Sequence, residues 1–317
     1  NNGETVNATA LTRGATNSMK IFEGDHKTAF LNYLSSLKPD NGTPSHRLMK
    51  QAFDYMSNSA LNVNSPWAKA PGSTAEPYLS CRRAYHIFLT DGAWNGQSNS
   101  VLPTGNLDHS SITGVGGSSE SYDPNAGYAR VFKGTESGTL ADWAFKSWAT
   151  DLQTGIANDV EPLPAYREAK DANPSTTEGG ITVPIFWNPR YNPATWQHLV
   201  THTIGYGTGA YSWPDAPLFD QSWVTLAAPA LADTYGGDFT KLYQGTATWP
   251  TLDVGGDDEK NRQSDLWHMA LNSRGQFYPV ENGDRLTAAF TRIFKQISDD
   301  NQPGTTSTAT SGSSNIY

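Results

Sequence analysis

Two oxygen-bearing side chains stand at positions where a folded chain could use them to hold a cation. Thr43 follows the turn-forming residues 38–42 and immediately precedes a helical pattern, while Asp91 ends the short apolar run 84–90. A hard divalent cation prefers hydroxyl and carboxylate oxygens as ligands. In an open α/β sheet, ligands gather at the carboxyl ends of the strands, and both residues are predicted to lie there. Oxygen ligands at that edge of the sheet would suit a hard cation such as Mg²⁺ or Ca²⁺.

Each of these two residues also has a simpler structural interpretation. Thr43 precedes Pro44, a pattern typical of a helix N-cap with proline at the first helical position, and such a cap contributes about 1 kcal/mol. Asp91 at the end of a strand can begin an Asx-turn. Capping and metal contact by Thr43 are compatible, so the residues alone leave both interpretations open.

Other kinds of chemistry find little support in the sequence. It contains no GxSxG or Walker motif. His198 and His202 are four residues apart, but they lie in a strand pattern and lack the glutamate of a zinc-binding HExxH motif, so structural hydrogen bonds are predicted for them. The acidic run 253–259 lacks the ligand spacing of an EF-hand and is predicted to be a solvated loop. No catalytic residue is predicted.

The elements that must position Thr43 and Asp91 follow from hydrophobic periodicity. Helical patterns cover 28–37, the residues from 44 to 56, 139–152, 266–271 and 284–297, and strand patterns cover 84–90, 198–204 and 276–280. In the first helix, the apolar stripe formed by Phe30, Leu31, Leu34 and Leu37 is typical of an amphipathic helix. Strands that alternate with helices predict an α/β fold with a mostly parallel sheet flanked by helices.

Composition excludes several classes of partner. The net charge of -9 and the pI near 5.2 argue against a nucleic-acid partner, because phosphate neutralisation needs a basic surface. The sequence contains no run of about 18 apolar residues, so no membrane span is predicted.

The single cysteine, Cys81, cannot form a disulfide within these residues, and it is predicted to be a buried small side chain or to pair with a residue elsewhere. The ten tryptophans are predicted to fasten long loops to the core.

Six consecutive blocks of sequence carry a resemblance to a known family. They read SMKIFEGDHKTAFLNYLSSL with the following GTP, SPWAKAPG, LSCRRAYHIFLTDGAWNG, SGTLADWAFKSWATDL, WQHLVTHTIGYG and DLWHMALNSRGQFYPVENGDRL. In this order, over about residues 15–297, they resemble the N-terminal von Willebrand factor A-like (Rossmann-like) domain of the PilC/PilY type IV pilus proteins. The resemblance implies that fold, with long irregular loop insertions at about 92–137, 153–195 and 210–262.

The resemblance also assigns Thr43 and Asp91 to two of the three loops of an adhesion-type metal site. The third loop, a DxSxS motif after the first strand, is absent, and residues 7–12 do not replace it because they have no leading aspartate. Either the first strand precedes residue 1 or this member lacks the metal loop. Residues 1–298 are predicted to form the A-like domain, and the Ser/Thr/Gly-rich residues 299–317 are predicted to be a linker towards an absent C-terminal domain.

The resemblance further implies a non-enzymatic module at the tip of a type IV pilus. Its expected roles are control of pilus assembly and retraction, adhesion to host or abiotic surfaces, and mechanosensing. The expected partners are minor pilins and surface ligands, and the expected location is the cell surface after export through the periplasm. The alternative is a secreted carbohydrate-binding or hydrolytic domain, which would need paired carboxylates in a cleft.

Overall fold

The structure is a computed structural model that describes residues 7, 10–38, 42–92, 94, 105–207, 239–252 and 259–301. Its helices are α1 (Gly24–Ser36), α2 (Ser45–Met56), α3 (Leu140–Ala149), α4 (Pro164–Ala172), α5 (Phe239–Gln244), α6 (Glu259–Asn272) and α7 (Gly283–Asp300). Its strands are β1 (Ala84–Thr90), β2 (Ser175–Glu178), β3 (Ile181–Pro184), β4 (Leu199–Tyr206) and β5 (Phe277–Val280).

Three parallel strands form the central sheet in the order β1-β4-β5. Strand β1 pairs with β4 from Ala84 opposite Leu199 to Thr90 opposite Gly205, and β4 pairs in turn with β5. Strand β4 is buried along its length except at Tyr206. The predicted parallel sheet is confirmed, and each of its three strands coincides with a predicted apolar run to within two residues.

Helices cover both faces of this sheet. Helices α3 and α6 pack on each other and on one face of β4, where Phe88, Leu266 and Phe277 join the largest apolar cluster. Helix α7 lies over the opposite face of β4 and β5, against Ile204 and Tyr278. Because successive side chains of a strand point to opposite faces, Phe277 and Tyr278 serve the two layers separately. The mixed α/β architecture predicted from the sequence is confirmed.

Local capping explains where two of the helices begin. Thr139 is the N-cap of α3: its hydroxyl accepts a hydrogen bond from the Asp142 N–H at 3.1 Å, and the Asp142 carboxylate accepts one from the Thr139 N–H at 3.1 Å. This reciprocal pair is a capping box. At α7, the Asn282 side chain accepts a hydrogen bond from the Arg285 N–H at 3.1 Å. Both helices therefore start within one residue of the predicted position.

The N-cap predicted for α2 is wrong. The cap residue is Pro44, with φ -85° and ψ 58°, and no side chain accepts a hydrogen bond from the first turn. Instead, the carbonyl of Thr43 accepts from the Ser45 N–H at 3.0 Å and the carbonyl of Pro44 accepts from the Leu48 N–H at 3.0 Å. The helix begins after the proline rather than at it, so the Thr43 hydroxyl is not used as a cap.

Helix α1 is confirmed, and its apolar stripe is exposed rather than packed on the core. No residue of α1 is buried, and the exposed fractions of Leu31, Leu34 and Leu37 are 49%, 46% and 43%. Phe30 instead packs edge-on against Phe22, with ring centroids 5.4 Å apart. The described part of the chain places no apolar layer against this stripe, so the stripe remains on the surface.

The long insertions contain ordered local structure where the structure describes them. The segment at 105–137 contains single 3-10 turns (Leu107–His109, Val115–Gly117 and Gly127–Val131), and the segment at 153–195 contains α4, the β2–β3 hairpin and a turn at Ile185–Trp187. The insertion at 210–262 is described only at 239–252 and 259–262, and the acidic residues 253–258 and most of the linker 299–317 lie outside the described residues.

Tryptophans fasten these loops to the core, as the sequence predicts. Eight of them are described, and all are at most 3% exposed: Trp67, Trp94, Trp143, Trp148, Trp187, Trp196, Trp249 and Trp267. Several also donate an indole hydrogen bond to a distant backbone carbonyl. The Trp249 indole, for example, donates to the Val131 carbonyl at 2.9 Å.

Cys81 is exposed, so the prediction that it is buried is wrong. In the part of the chain that the structure describes, no helix is both long and apolar enough to cross a bilayer.

Candidate functional site

A tight turn at the carboxyl end of β1 positions Asp91. The Thr90 hydroxyl accepts a hydrogen bond from the Gly92 N–H at 3.2 Å, and the Gln263 side-chain amide donates to the Asp91 carbonyl at 3.2 Å. Gly92 has φ +83°, and a Cβ there would lie 1.8 Å from Nε2 of Gln263. The positive φ therefore favours glycine at the turn, and any side chain there would displace the Gln263 amide. The Asp91 carboxylate lies on the surface.

Thr43 lies at the entrance to α2, where the chain passes from the surface into the interior. Thr43 is half-buried, whereas the exposed fractions of Ser45 and His46 are 0% and 1%. The Ser45 hydroxyl has no hydrogen-bond partner among the described residues. A buried hydroxyl without a partner is costly in a protein interior, and such atoms often mark a bound water or ligand.

The structure brings together the two segments that carry Thr43 and Asp91. The ring of His46 packs edge-on against the ring of Trp94, with centroids 6.1 Å apart, and the Arg262 guanidinium lies 5.5 Å from the Trp94 ring. Trp94 follows Asp91 by three residues, and His46 follows Thr43 by three. These contacts bring the entrance of α2 beside the segment that follows the carboxyl end of β1.

The charges near this cluster limit what it can bind. Burial lowers the pKa of His46 to about 4, against a backbone hydrogen bond at Gly138 that raises it, and the nearby Arg262 lowers it further. His46 is therefore neutral at pH 7, and Arg262 supplies the positive charge. Of the two predicted cation ligands, Thr43 offers a hydroxyl and Asp91 a carboxylate.

The hydroxyl and carboxylate oxygens of this cluster are the ligands that a hard cation prefers, but they are too few to hold one. Thr43 and Ser45 can offer hydroxyls and Asp91 a carboxylate. Within the described ranges, however, no group of three or more histidine, cysteine, aspartate or glutamate side chains could hold a metal ion. A cation bound here would need at least one more carboxylate from outside this cluster.

A second polar cluster, which the sequence analysis did not identify, is buried between α3, α6 and the loop at 105–134. Asp265 accepts hydrogen bonds from the N–H groups of Leu140 at 3.0 Å and Ala141 at 3.2 Å, and Asp142 accepts one from Leu107 at 2.7 Å. Asp108 accepts hydrogen bonds from the Gly134 N–H and the Asn272 amide, each at 3.3 Å.

These three aspartates resist ionisation because they are buried together. Burial raises the pKa of Asp265 to about 7 and that of Asp108 well above its usual range, and the neighbouring Asp142 carboxyl raises both further. Burial also raises the pKa of Asp142, against the hydrogen bonds from Thr139 and Leu107. The T-x-x-D spacing of Thr139 and Asp142 is a local capping signal, whereas Asp108 and Asp265 carry no such signal in the sequence.

His198 and His202 make structural hydrogen bonds, as predicted, and the buried His268 does likewise. His268 lies at hydrogen-bonding distance from the Phe132 carbonyl, with Nε2 at 2.6 Å, and it stacks on Trp249 with ring centroids 4.2 Å apart. His198 contacts the Trp196 carbonyl and the Asn192 amide, each at 2.8 Å. Burial lowers the pKa of both, to about 3 for His268 and about 4 for His198. Both are neutral at pH 7 and engaged with backbone or amide groups.

Three curated proteins of similar sequence are described as type IV pilus biogenesis factor PilY1, from Pseudomonas aeruginosa. The chain is 36% identical over 287 residues to the protein of strain PAK, 35% over 287 residues to that of strain PAO1, and 35% over 286 residues to that of strain UCBPP-PA14. The alignments cover 90% of this chain but only 21–22% of the relatives, so the chain spans about a fifth of their length. No protein-family model matches the chain. No solved structure matches it either. The resemblance carried by the six sequence blocks is confirmed: over 90% of its length, this chain is similar to the PilY1 proteins.

Proposed function

We propose that this chain is a non-enzymatic structural module of a type IV pilus biogenesis protein, carried at the pilus tip. The observation that supports the role most directly is the similarity to PilY1 over 90% of the chain. At the tip, the module would contact minor pilins, support pilus assembly against retraction, and touch host or abiotic surfaces, where it would also sense tension.

The fold that we propose for the module is von Willebrand A-like. Its support is the parallel sheet β1-β4-β5 between helical layers, with Thr43 and Asp91 on segments that meet at the carboxyl edge. Adhesion through such a fold uses a cation at that edge, completed by a carboxylate of the ligand. The hydroxyls of Thr43 and Ser45 and the carboxylate of Asp91 would hold Mg²⁺ or Ca²⁺ there, together with an acidic residue from elsewhere.

A non-enzymatic role is supported by the partners of the buried ionisable groups. The carboxylates of Asp142 and Asp265 accept backbone N–H groups of helix starts, and His198 and His268 contact backbone and amide groups. Such groups stabilise the fold and are not presented to a substrate. The carbohydrate-binding alternative loses support because none of the eight described tryptophans is exposed as a stacking platform.

The pilus role predicts a clear phenotype. We expect a strain that lacks the parent protein to lose surface pili and twitching motility, measured by electron microscopy and by expansion of the colony beneath agar. The wild-type gene should restore both, whereas a gene with the segment 1–298 deleted should not, provided that the shortened protein is exported. Normal piliation in the deletion strain, or full rescue without the segment, would contradict the proposal.

The cation site makes a separate prediction for the full-length protein. A cation that binds only the folded state should raise the melting temperature, because ligand at 100 times its dissociation constant adds about 2.7 kcal/mol to the free energy of unfolding. Asp91→Asn and Thr43→Ala should abolish the rise measured by calorimetry with Mg²⁺ or Ca²⁺. Asp54→Asn, which removes an exposed carboxylate of α2, is the control and should keep it. A rise that survives Asp91→Asn would show that the cation binds elsewhere.

A further inference from the structure

Helix α7 is packed more firmly in its first half than in its second. The structure describes all 18 residues of α7, and among them only Ala289 and Ile293 are buried. None of the residues 294–300 is buried, and Phe294 is 44% exposed. Apolar packing therefore holds the middle of α7 on the sheet, and the end of the helix depends on other contacts.

The C-terminal end of α7 carries groups that destabilise an isolated helix end. The last four carbonyls of a helix have no partner within it, and this end carries a partial negative charge. Asp299 and Asp300 add two carboxylates at the same place, where negative side chains are unfavourable. Asn301 satisfies one carbonyl locally, since its side-chain amide donates to the Ile297 carbonyl at 2.6 Å.

Two side chains at the start of β1 supply partners for the last residue of α7. The Arg83 guanidinium donates through Nη1 to the Asp300 carbonyl at 2.7 Å, and the Tyr85 hydroxyl donates to Oδ2 of the Asp300 carboxylate at 3.0 Å. These hydrogen bonds span 217 and 215 positions of sequence. The guanidinium also offsets the partial negative charge of the helix end. The end of α7 is thus attached to the sheet by polar contacts.

Arg83 and its neighbour Arg82 each hold more than one carbonyl. Nη2 of Arg83 donates to the Glu161 carbonyl at 2.5 Å, in the segment that precedes α4. Nη1 of Arg82 donates to the carbonyls of Pro66 at 2.5 Å and Ala68 at 2.8 Å. A planar guanidinium fork can reach two such oxygens in fixed geometry, whereas an ammonium acts as a single point charge. The two arginines of the third sequence block therefore fasten distant segments to the start of β1.

We propose that Arg83 and Tyr85 form a latch that holds the C-terminal end of α7 on the first residues of β1. The chain continues beyond Asn301 to Tyr317, so tension applied from that side reaches the central sheet through the latch. With the latch closed, the tension acts on β1, which pairs with β4 along its seven residues. With the latch open, the weakly packed residues 294–300 leave the sheet first.

The latch deepens the proposed sensing of tension, but its contacts do not depend on the pilus role. A deletion strain with normal pili would contradict that role and leave the latch untouched. An α7 end that stays in place without Arg83 would contradict the latch alone.

Amide hydrogen exchange of the full-length protein measures how firmly the end of α7 is held. Arg83→Met removes the guanidinium and keeps an unbranched side chain. It should speed exchange of the amides at 297–301 about tenfold, because hydrogen bonds from a charged donor are lost. Tyr85→Phe removes one hydroxyl and should give a smaller increase in the same segment. The amides at 287–293 should keep their wild-type rates in both variants.

Lys295→Met is the matched control. Lys295 forms an ion pair with Asp299 in the last turns of α7, so the substitution removes a contact within the helix and leaves the latch intact. Exposed ion pairs contribute little, so exchange at 297–301 should change about twofold or less. When the full-length protein is pulled as a single molecule, α7 should detach at a lower force in Arg83→Met than in the wild type and at the wild-type force in Lys295→Met.

Two results would overturn the proposal. The first is equal exchange at 297–301 in Arg83→Met and Lys295→Met, together with an unchanged force of detachment. The second is faster exchange throughout β1, β4 and α7 in Arg83→Met, with wild-type exchange in Tyr85→Phe. That outcome would show that Arg83 stabilises the whole domain and does not act as a latch for α7.

Discussion

Replacing Trp148 by alanine is expected to destabilise the protein by about 4 kcal/mol, because large-to-small changes at buried aromatic residues cost about 3–5 kcal/mol. Trp148 on α3 is fully buried, and its ring centroid lies 5.4 Å from that of Trp196 and 6.0 Å from that of Trp187. The substitution would leave a cavity among large rings that cannot collapse without moving the loop at 185–196. It would also leave the side-chain Oδ1 of Asn192 without the indole donor that now lies 3.1 Å away.

The neighbouring arginine makes this site more sensitive than an ordinary core position. The Arg274 guanidinium lies 3.9 Å from the Trp148 ring centroid and 4.7 Å from that of Phe132, and Arg274 is only 6% exposed. A cation held over an aromatic face in a dry site gains about 2 kcal/mol from the ring. Removing the ring therefore weakens the surroundings of a buried charge as well as the packing.

Chemical denaturation monitored by circular dichroism measures the effect of Trp148→Ala. Trp148→Phe keeps an aromatic face and should fall between the wild type and Trp148→Ala. Leu34→Ala on the exposed stripe of α1 is the control, and it should stay within about 0.5 kcal/mol of the wild type. A loss below about 1 kcal/mol for Trp148→Ala would show that the aromatic cluster does not hold the loops to α3.

Much of the fold could be predicted because its central elements carry local signals. The seven residues of β1 are a short apolar run bounded by Arg83 and by Asp91-Gly92, and such runs are typical of buried parallel strands. The start of α3 follows from the spacing of Thr139 and Asp142, which satisfies the backbone of the first turn. Such signals depend on neighbouring residues alone, so tertiary packing did not override them.

The features that could not be predicted depend on partners distant in the chain. Periodicity shows that α1 has an apolar stripe, but it cannot show whether another layer covers Leu31 and Leu34, and none of the described residues does. At the candidate site, Gln263 reaches the Asp91 carbonyl across 172 positions of sequence. Arg262 and Ser45 were not identified for the same reason, because neither lies in a sequence pattern that indicates which distant residues contact it.

The buried aspartates show how this fold fixes its loops without opposite charges close by. Asp265 holds the start of α3 from α6 through two backbone hydrogen bonds, and Asp108 joins the loop at 105–134 to Asn272. Three carboxyls buried together cannot all ionise without a large free-energy cost. The folded protein should therefore keep protons on this cluster at a pH where the unfolded chain has released them.

Asp265→Asn is expected to change how stability depends on pH. The pKa of Asp265 is about 7 in the folded protein, raised by burial, against an ordinary value of 3.8. Between these values the folded state binds one more proton than the unfolded state, so this group makes the wild type less stable as pH rises. The slope is up to about 1.4 kcal/mol per pH unit. An amide cannot ionise, so the substitution removes this slope.

Near pH 4, Asp265→Asn should be less stable than the wild type, because the amide oxygen can replace only one of the two Asp265 oxygens that accept hydrogen bonds from Leu140 and Ala141. As pH rises to about 7, this difference should shrink, because only the wild type loses stability through residue 265. The measurement is the free energy of unfolding by urea at intervals from pH 4 to pH 8. Because both proteins share the buried histidines, whose lowered pKa values have the opposite effect, only the difference between the two curves reports Asp265. Leu34→Ala should run parallel to the wild type, and an Asp265→Asn curve that did the same would show that the carboxylate is ionised throughout, held by the N–H groups of Leu140 and Ala141.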